Sequence, residues 1–130
     1  MKRARLLAFL LDVLLAAAIA DAGGFLATAV VWWGLPFARQ SIPWIWASAG
    51  ALAVALFLLR DARGGRARRW LGLEAVRGDG GVPGAARSIR RNLPLLIPGW
   101  NLLEALPVLR DGSAPRRSDL KTGIQIRRSD

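Results

Sequence analysis

The chain contains no cysteine and no histidine. The first absence removes disulfides, thiolate nucleophiles and thiolate metal ligands, and the second removes the commonest general base and the commonest metal ligand. Most hydrolase and metalloenzyme readings end there, so no enzyme activity, cofactor or metal site is expected. Acidic residues are also scarce. Nine Asp and Glu stand against 19 Lys and Arg, which leaves a formal charge of +10 on 130 residues. Yet 53% of the chain is hydrophobic, before its 14 glycines are counted. An average globular protein reaches roughly 45 to 50% with glycine included. Basic and apolar residues must therefore lie in separate blocks, which is the pattern of a membrane protein.

Two blocks are long enough to cross a bilayer. Leu6 to Trp33 holds no Lys or Arg and is broken only by Asp12, Asp21 and the pair Gly23 and Gly24. As a helix it extends about 42 Å, against roughly 30 Å of hydrocarbon. Ile42 to Leu59 carries no charge and has about the minimum spanning length. Lys2, Arg3 and Arg5 precede the first block, Arg39 alone lies in the loop Gly34 to Ser41, and the other basic residues follow Leu59. The positive-inside rule then puts both termini in the cytoplasm and the loop outside, with Trp32, Trp33, Trp44 and Trp46 at the outer headgroups. Lys2 to Arg5, the apolar run and Ala20-Asp21-Ala22 also imitate a secretory signal. Asp12 interrupts that run and the apolar residues continue past the triplet, so the segment is expected to be retained.

The third apolar stretch, Leu93 to Leu109, differs in kind. Pro94, Pro98 and Pro107 break it, Asn101 and Glu104 lie inside it, and Arg90, Arg91 and Arg110 flank it. It reads as a kinked interfacial or re-entrant helical pair, with a third crossing as the alternative. Leu71 to Arg77 and Ile124 to Ile126 have strand character and can pair as a small cytoplasmic β-ribbon. The expected architecture is thus an all-α membrane protein in one domain, 1–130. Helices over about 6–33 and 42–59 are followed by a polar segment 60–92, the stretch 93–109 and a tail 110–130.

Asp12 demands explanation, because an aspartate inside a spanning helix costs several kcal/mol unless paired, hydrated or protonated. Arg5 shares its face but lies about 10 Å away along the axis. Asp12 is expected to meet Arg90, Arg91 or Asn92, and Arg5 a tail carboxylate such as Asp119. Asp21 points to the opposite face. The cluster reads either as a structural clamp or as a site that handles an ion. Ala8, Ala16, Ala20 and Gly24, with Asp12 among them, recur at every fourth position, as do Ala47, Ala51 and Ala55. Such ladders let helices approach closely in lipid, within the hairpin or between copies. Arg60, Arg63, Arg66, Arg68 and Arg69 form a basic run just after the second helix, suited to anionic headgroups at about 1 kcal/mol each. Nucleic-acid binding is not expected, since no recognition module accompanies the run. Gly78 to Gly81 is a turn without the Lys-Ser or Lys-Thr of a phosphate loop.

Arg5 followed by Asp12, then LLRDARGG, LGLEAVRGDGG, SIRRNLPLLIPGWNLLEAL and RRSDLKTGIQI, resembles the RDD family of small bacterial integral membrane proteins over essentially the whole chain. Arg5 and Asp12 match its first-helix arginine and aspartate, and Asp119 with Thr122 and Gly123 matches its C-terminal segment. Arg68-Arg69 replaces the usual Gly-Lys, and Thr122-Gly123 inverts the usual Gly-Thr, as in a divergent member. The resemblance implies a polytopic protein of the bacterial inner membrane, with transport of an unidentified ligand suggested. The expected function is an oligomer that handles an ion or small solute through intramembrane polar residues. The alternative is a non-transporting accessory or scaffold subunit of a membrane complex.

Overall fold

A computed structural model describes residues 2–111 and 114–128, with the side chains of residues 2, 66 and 67 outside the description. The protein is mostly helical, with two long apolar helices and a small antiparallel sheet. Helix α1 runs Lys2–Ala29 and widens into a π-helical turn, Val30–Gly34. Pro36 supplies no amide hydrogen to continue it and instead opens a 3-10 turn, Pro36–Ser41. Helix α2, Ile42–Leu59, tolerates Pro43 because the first-turn amides have no intrahelical partner. Short elements follow: α3 (Arg66–Trp70), β1 (Leu73–Arg77), α4 (Ala85–Asn92), α5 (Trp100–Arg110), α6 (Arg117–Thr122) and β2 (Ile124–Arg128).

The chain divides into two compact units, one of residues 13–57 and one of residues 1–12 with 58–130. In the first, α1 and α2 form an apolar hairpin. Gly24 leaves room that a Cβ would fill, at 3.1 Å from the Trp46 ring and 3.4 Å from Ala49. Phe25 meets Trp46 edge to face at 5.1 Å. Arg39 folds back to donate to the Trp32 carbonyl at 3.0 Å, with its guanidinium 4.4 Å from that indole. Most large side chains here are exposed, among them Leu14, Phe25, Leu26, Trp33 and Trp44. The stretches Arg3–Gly34 and Pro36–Leu59 are long and apolar enough to cross a membrane, with 32 and 24 residues.

The ladder on α1 is observed as a buried stripe: Ala8, Asp12, Ala16, Ala20 and Gly24 are buried. The ladder on α2 is not. Ala47, Ala51 and Ala55 are exposed, and the buried residues are Ala49 and Phe57, two positions out of phase. Helix α2 is apolar all round, with small residues at nearly every position from Ala47 to Ala55. Periodicity therefore gives its rotation no anchor, whereas Asp12 phases α1.

In the second unit the ribbon forms as expected. Strands β1 and β2 pair antiparallel with Ala75 opposite Ile126, and Leu73, Ala75, Val76 and Ile124 are buried. Gly123, at φ +65°, closes α6 in the left-handed conformation and turns the chain into β2. Leu93 to Leu109 is a broken helical pair, a 3-10 turn Leu93–Leu96 and then α5. The break falls at Pro98 and at Gly99, whose φ is +81°. Helix α5 has 11 residues, about 16 Å, which is half of what a crossing needs. It is also inside out. Glu104 is buried while Leu102, Leu106 and Leu109 are exposed. Helix α4 likewise buries Ser88, Arg91 and Asn92 and exposes Ile89.

Candidate functional site: a buried arginine–carboxylate network

The interior of this second unit is ionic. Its fully buried side chains of largest size are Arg91, Ile124, Glu104, Asn92, Asp61 and Ser88. Their assembly follows from helix periodicity, because Ser88, Arg91 and Asn92 at i, i+3 and i+4 share one face of α4. That face seals the end of α2, where the last carbonyls have no intrahelical donor. Ser88 Oγ donates to the Leu58 carbonyl at 2.6 Å, and Asn92 Nδ2 donates to it at 3.2 Å. The Asp61 amide in turn donates to Ser88 Oγ at 3.1 Å.

Arg91 is the hub. Its side chain is 1% exposed, its Nη1 donates to Asp61 Oδ2 at 2.6 Å, and its Nε donates to Asp119 Oδ1 at 2.6 Å. Asp61 also pairs with Arg68 and accepts from Asn92 Nδ2 at 3.0 Å. Asp119, at the third position of α6, accepts from the Arg116 amide at 3.0 Å and lies 3.5 Å from the Arg116 guanidinium. Glu104 of α5 accepts from the Ser118 amide at 3.1 Å and its hydroxyl at 2.7 Å. These bonds hold α5 and α6 together where apolar contact is sparse.

Burial disfavours the charged form of Asp119, Arg116, Arg60 and Arg68, and neighbouring charges add to it or offset it. Burial by itself would raise the Asp119 carboxyl, but Arg91 and Arg116 outweigh it and hold Asp119 below the ordinary carboxylate range. Burial lowers Arg116 to about 9, with Arg91 adding to the effect against the pull of Asp119. Arg60 falls to about 10, chiefly by burial, with Asp12 resisting. Arg68 is lowered by burial and by the Arg91 and Arg60 cations. At neutral pH Asp119, Arg116 and Arg60 therefore remain ionised.

The residues expected from sequence fall into three sets. Asp12, Arg91, Asn92 and Asp119 do come together, but through different pairs. Asp12 faces Arg60 at 3.9 Å rather than Arg90, Arg91 or Asn92. Arg5 donates from Nη1 to the Ala114 carbonyl at 2.8 Å, and Asp119 is held by Arg91 and Arg116. Arg60 and Arg68, expected on headgroups, are buried in the network, because carboxylates in the same fold offer stronger partners than a screened surface. Arg63 and Arg69 are exposed, and the Arg66 side chain lies outside the described residues. Arg90 and Asp21 are exposed, Asp21 on the other unit. Asp61, Glu104, Ser118 and Arg116 are new. Asp61 was visible as the lone acid in LLRDARGG, and Ser88 through its spacing to Arg91. Nothing in the sequence pointed to Ser118 or Arg116.

Beside the network opens a cavity of about 450 Å³. Arg3, Arg5, Arg60, Arg68, Arg91 and Arg116 line it, with Asp119 as the lining carboxylate. Leu6, Phe9, Leu102, Val108 and Leu109 supply an apolar wall. Among the described residues no cluster of three acidic side chains is arranged to hold a metal ion. Comparison of the chain with protein-family models, with curated proteins and with solved structures returned no significant match.

Proposed function

We propose that the chain is an RDD-like integral membrane protein that handles a small charged solute at the arginine-lined cavity. Helices α1 and α2 insert as a hairpin into the bacterial inner membrane with both termini cytoplasmic, as the distribution of basic residues requires. The exposed apolar flanks of that hairpin support insertion, since soluble monomers rarely expose apolar patches so large. Helix α5, with its acid inward and its leucines outward, suits a bilayer interface.

The observation that carries the solute reading is the surplus of cations. Six arginines line the cavity, and the carboxylates buried among them are Asp12, Asp61, Asp119 and Glu104. Arg60, Arg68, Arg91 and Arg116, whose side chains are buried or nearly so, match those carboxylates in number; the surplus falls on the half-buried Arg5 and the exposed Arg3, and excess positive charge lining a cavity favours an anionic visitor. One hairpin is too small to enclose a path, so passage across the membrane requires several copies. The scaffold reading draws support from Asp61 and Asp119, whose pairings are those of a structural lock.

Flux measurements separate the two. Proteoliposomes carrying the wild-type protein are expected to take up radiolabelled phosphate, and Arg116→Gln protein of unchanged unfolding temperature, with one lining cation removed, is expected to lose that uptake. If neither labelled phosphate nor labelled sodium enters above protein-free vesicles, the transport reading fails and the accessory role stands.

A further inference from the structure

The cavity is lined by residues of two opposite kinds. The first are guanidinium groups, of which Arg116 is the telling case. Its side chain is only 11% exposed, its Nε reaches Asp119 at 3.5 Å, and its Nη2 is buried with no hydrogen-bond partner among the described residues. Arg5 repeats the pattern, with Nη1 on the Ala114 carbonyl and a buried Nε that has no such partner. Buried charged donors left without acceptors are costly, and an anion bound beside these two guanidinium groups would offset that cost. The second kind are apolar, with Leu102, Val108 and Leu109 of α5 among them, and Leu102 is 67% exposed. A simple inorganic anion has no use for that wall.

Charge narrows the choice. Six lining arginines stand against four carboxylates, Asp119 in the lining and Asp12, Asp61 and Glu104 behind it, and the surplus of two falls on the half-buried Arg5 and the exposed Arg3. A phosphomonoester carries close to two negative charges at neutral pH and presents oxygens in the geometry that guanidinium forks match. Resting on the solute reading above, we propose that the cavity binds a phosphomonoester amphiphile, its phosphate on Arg116 and Arg5 and its hydrocarbon along Leu102, Val108 and Leu109 of α5. The phosphate is the shared chemistry of a bilayer lipid and a free phosphate, and the apolar wall selects the lipid.

Native mass spectrometry of the full chain in detergent tests this with four probes: dioleoyl phosphatidate, dioleoyl phosphatidylglycerol, dioleoyl phosphatidylcholine and inorganic phosphate. Phosphatidate is expected to bind one per chain, at least about tenfold more tightly than phosphatidylcholine and more tightly than phosphatidylglycerol. Arg116→Gln should weaken phosphatidate about tenfold, with Arg116→Lys between it and wild type. Should Arg116→Gln fail to fold, Leu102→Glu at its exposed position keeps the arginines and sets a negative charge on the wall, and it should weaken phosphatidate similarly. Equal binding of all three lipids would overturn the inference as mere apolar adhesion. Binding of inorganic phosphate without binding of any lipid would overturn the amphiphile and leave the solute reading intact. No binding of any anion would overturn both.

Discussion

Replacing Arg91 with glutamine strikes the second unit where it is most exposed to failure. Arg91 gives one charge-assisted hydrogen bond to Asp61 and one to Asp119, each 2.6 Å long, from a side chain that water does not reach. Hydrogen bonds to charged groups contribute about 1.5–3 kcal/mol each, so two give about 3–6 kcal/mol. Removing one partner of a buried ion pair costs about 3–5 kcal/mol on independent grounds, because the remaining charge stays buried without compensation. The two routes agree. For a unit of this size that loss lowers the unfolding midpoint on the order of 10 °C or more. Near-ultraviolet circular dichroism in detergent would follow it through the tryptophans. Arg91→Lys keeps the charge but not the fork, and is expected to fall between glutamine and wild type. If Arg91→Gln melts within about 2 °C of wild type, by the same conversion the network contributes little and the reasoning is refuted.

Three further outcomes follow from the same contacts. Glu104→Gln should destabilise by about 1–3 kcal/mol in a denaturant titration, since Glu104 accepts both Ser118 bonds, while Ser118→Ala, which leaves the amide bond, should cost less. The Asp119 carboxyl titrates below its unfolded value, so its contribution is complete above about pH 4 and is lost as pH falls through the lower folded value. Thermal melts from pH 7 to pH 3 should show that acid limb, and Asp119→Asn should flatten it. Gly24→Val should destabilise the hairpin, because a Cβ there already comes within 3.1 Å of the Trp46 ring. Gly23→Ala, with nothing within 4 Å, should be neutral or stabilising by up to about 1 kcal/mol. Parallel thermal melts of these two variants decide the point.

What the sequence made legible follows from where physics is local. The second long helix begins and ends at Ile42 and Leu59 as hydropathy places it, because charge and proline mark both ends. The ribbon was readable from strand character over Leu71 to Arg77, of which Leu73–Arg77 forms the strand, and from alternation at Ile124 to Ile126. Asp12 was readable as a residue that must be neutralised. Its partner was not, because pairing depends on how α4, α6 and the turn after α2 close on one another. Long-range geometry of that kind leaves no spacing signal. Arg60 and Arg68 misled for a related reason. A basic run after an apolar helix looks like a headgroup anchor, and only the fold brings Asp12 and Asp61 to two of its members. Likewise, the rotation of α2 could not be read from a helix that is apolar on every side.

The absence of native cysteine makes the most direct measurement simple, since each introduced thiol is the sole one in the chain. Gln40→Cys, in the loop before α2, and Arg63→Cys, after it, are both exposed positions. Intact cells would be labelled with a membrane-impermeant maleimide before and after permeabilisation. The account predicts that Gln40→Cys is labelled in intact cells and Arg63→Cys only once the membrane is opened, with both proteins in the membrane fraction. Recovery of the protein in the soluble fraction, or labelling of both positions from the same side, would contradict it.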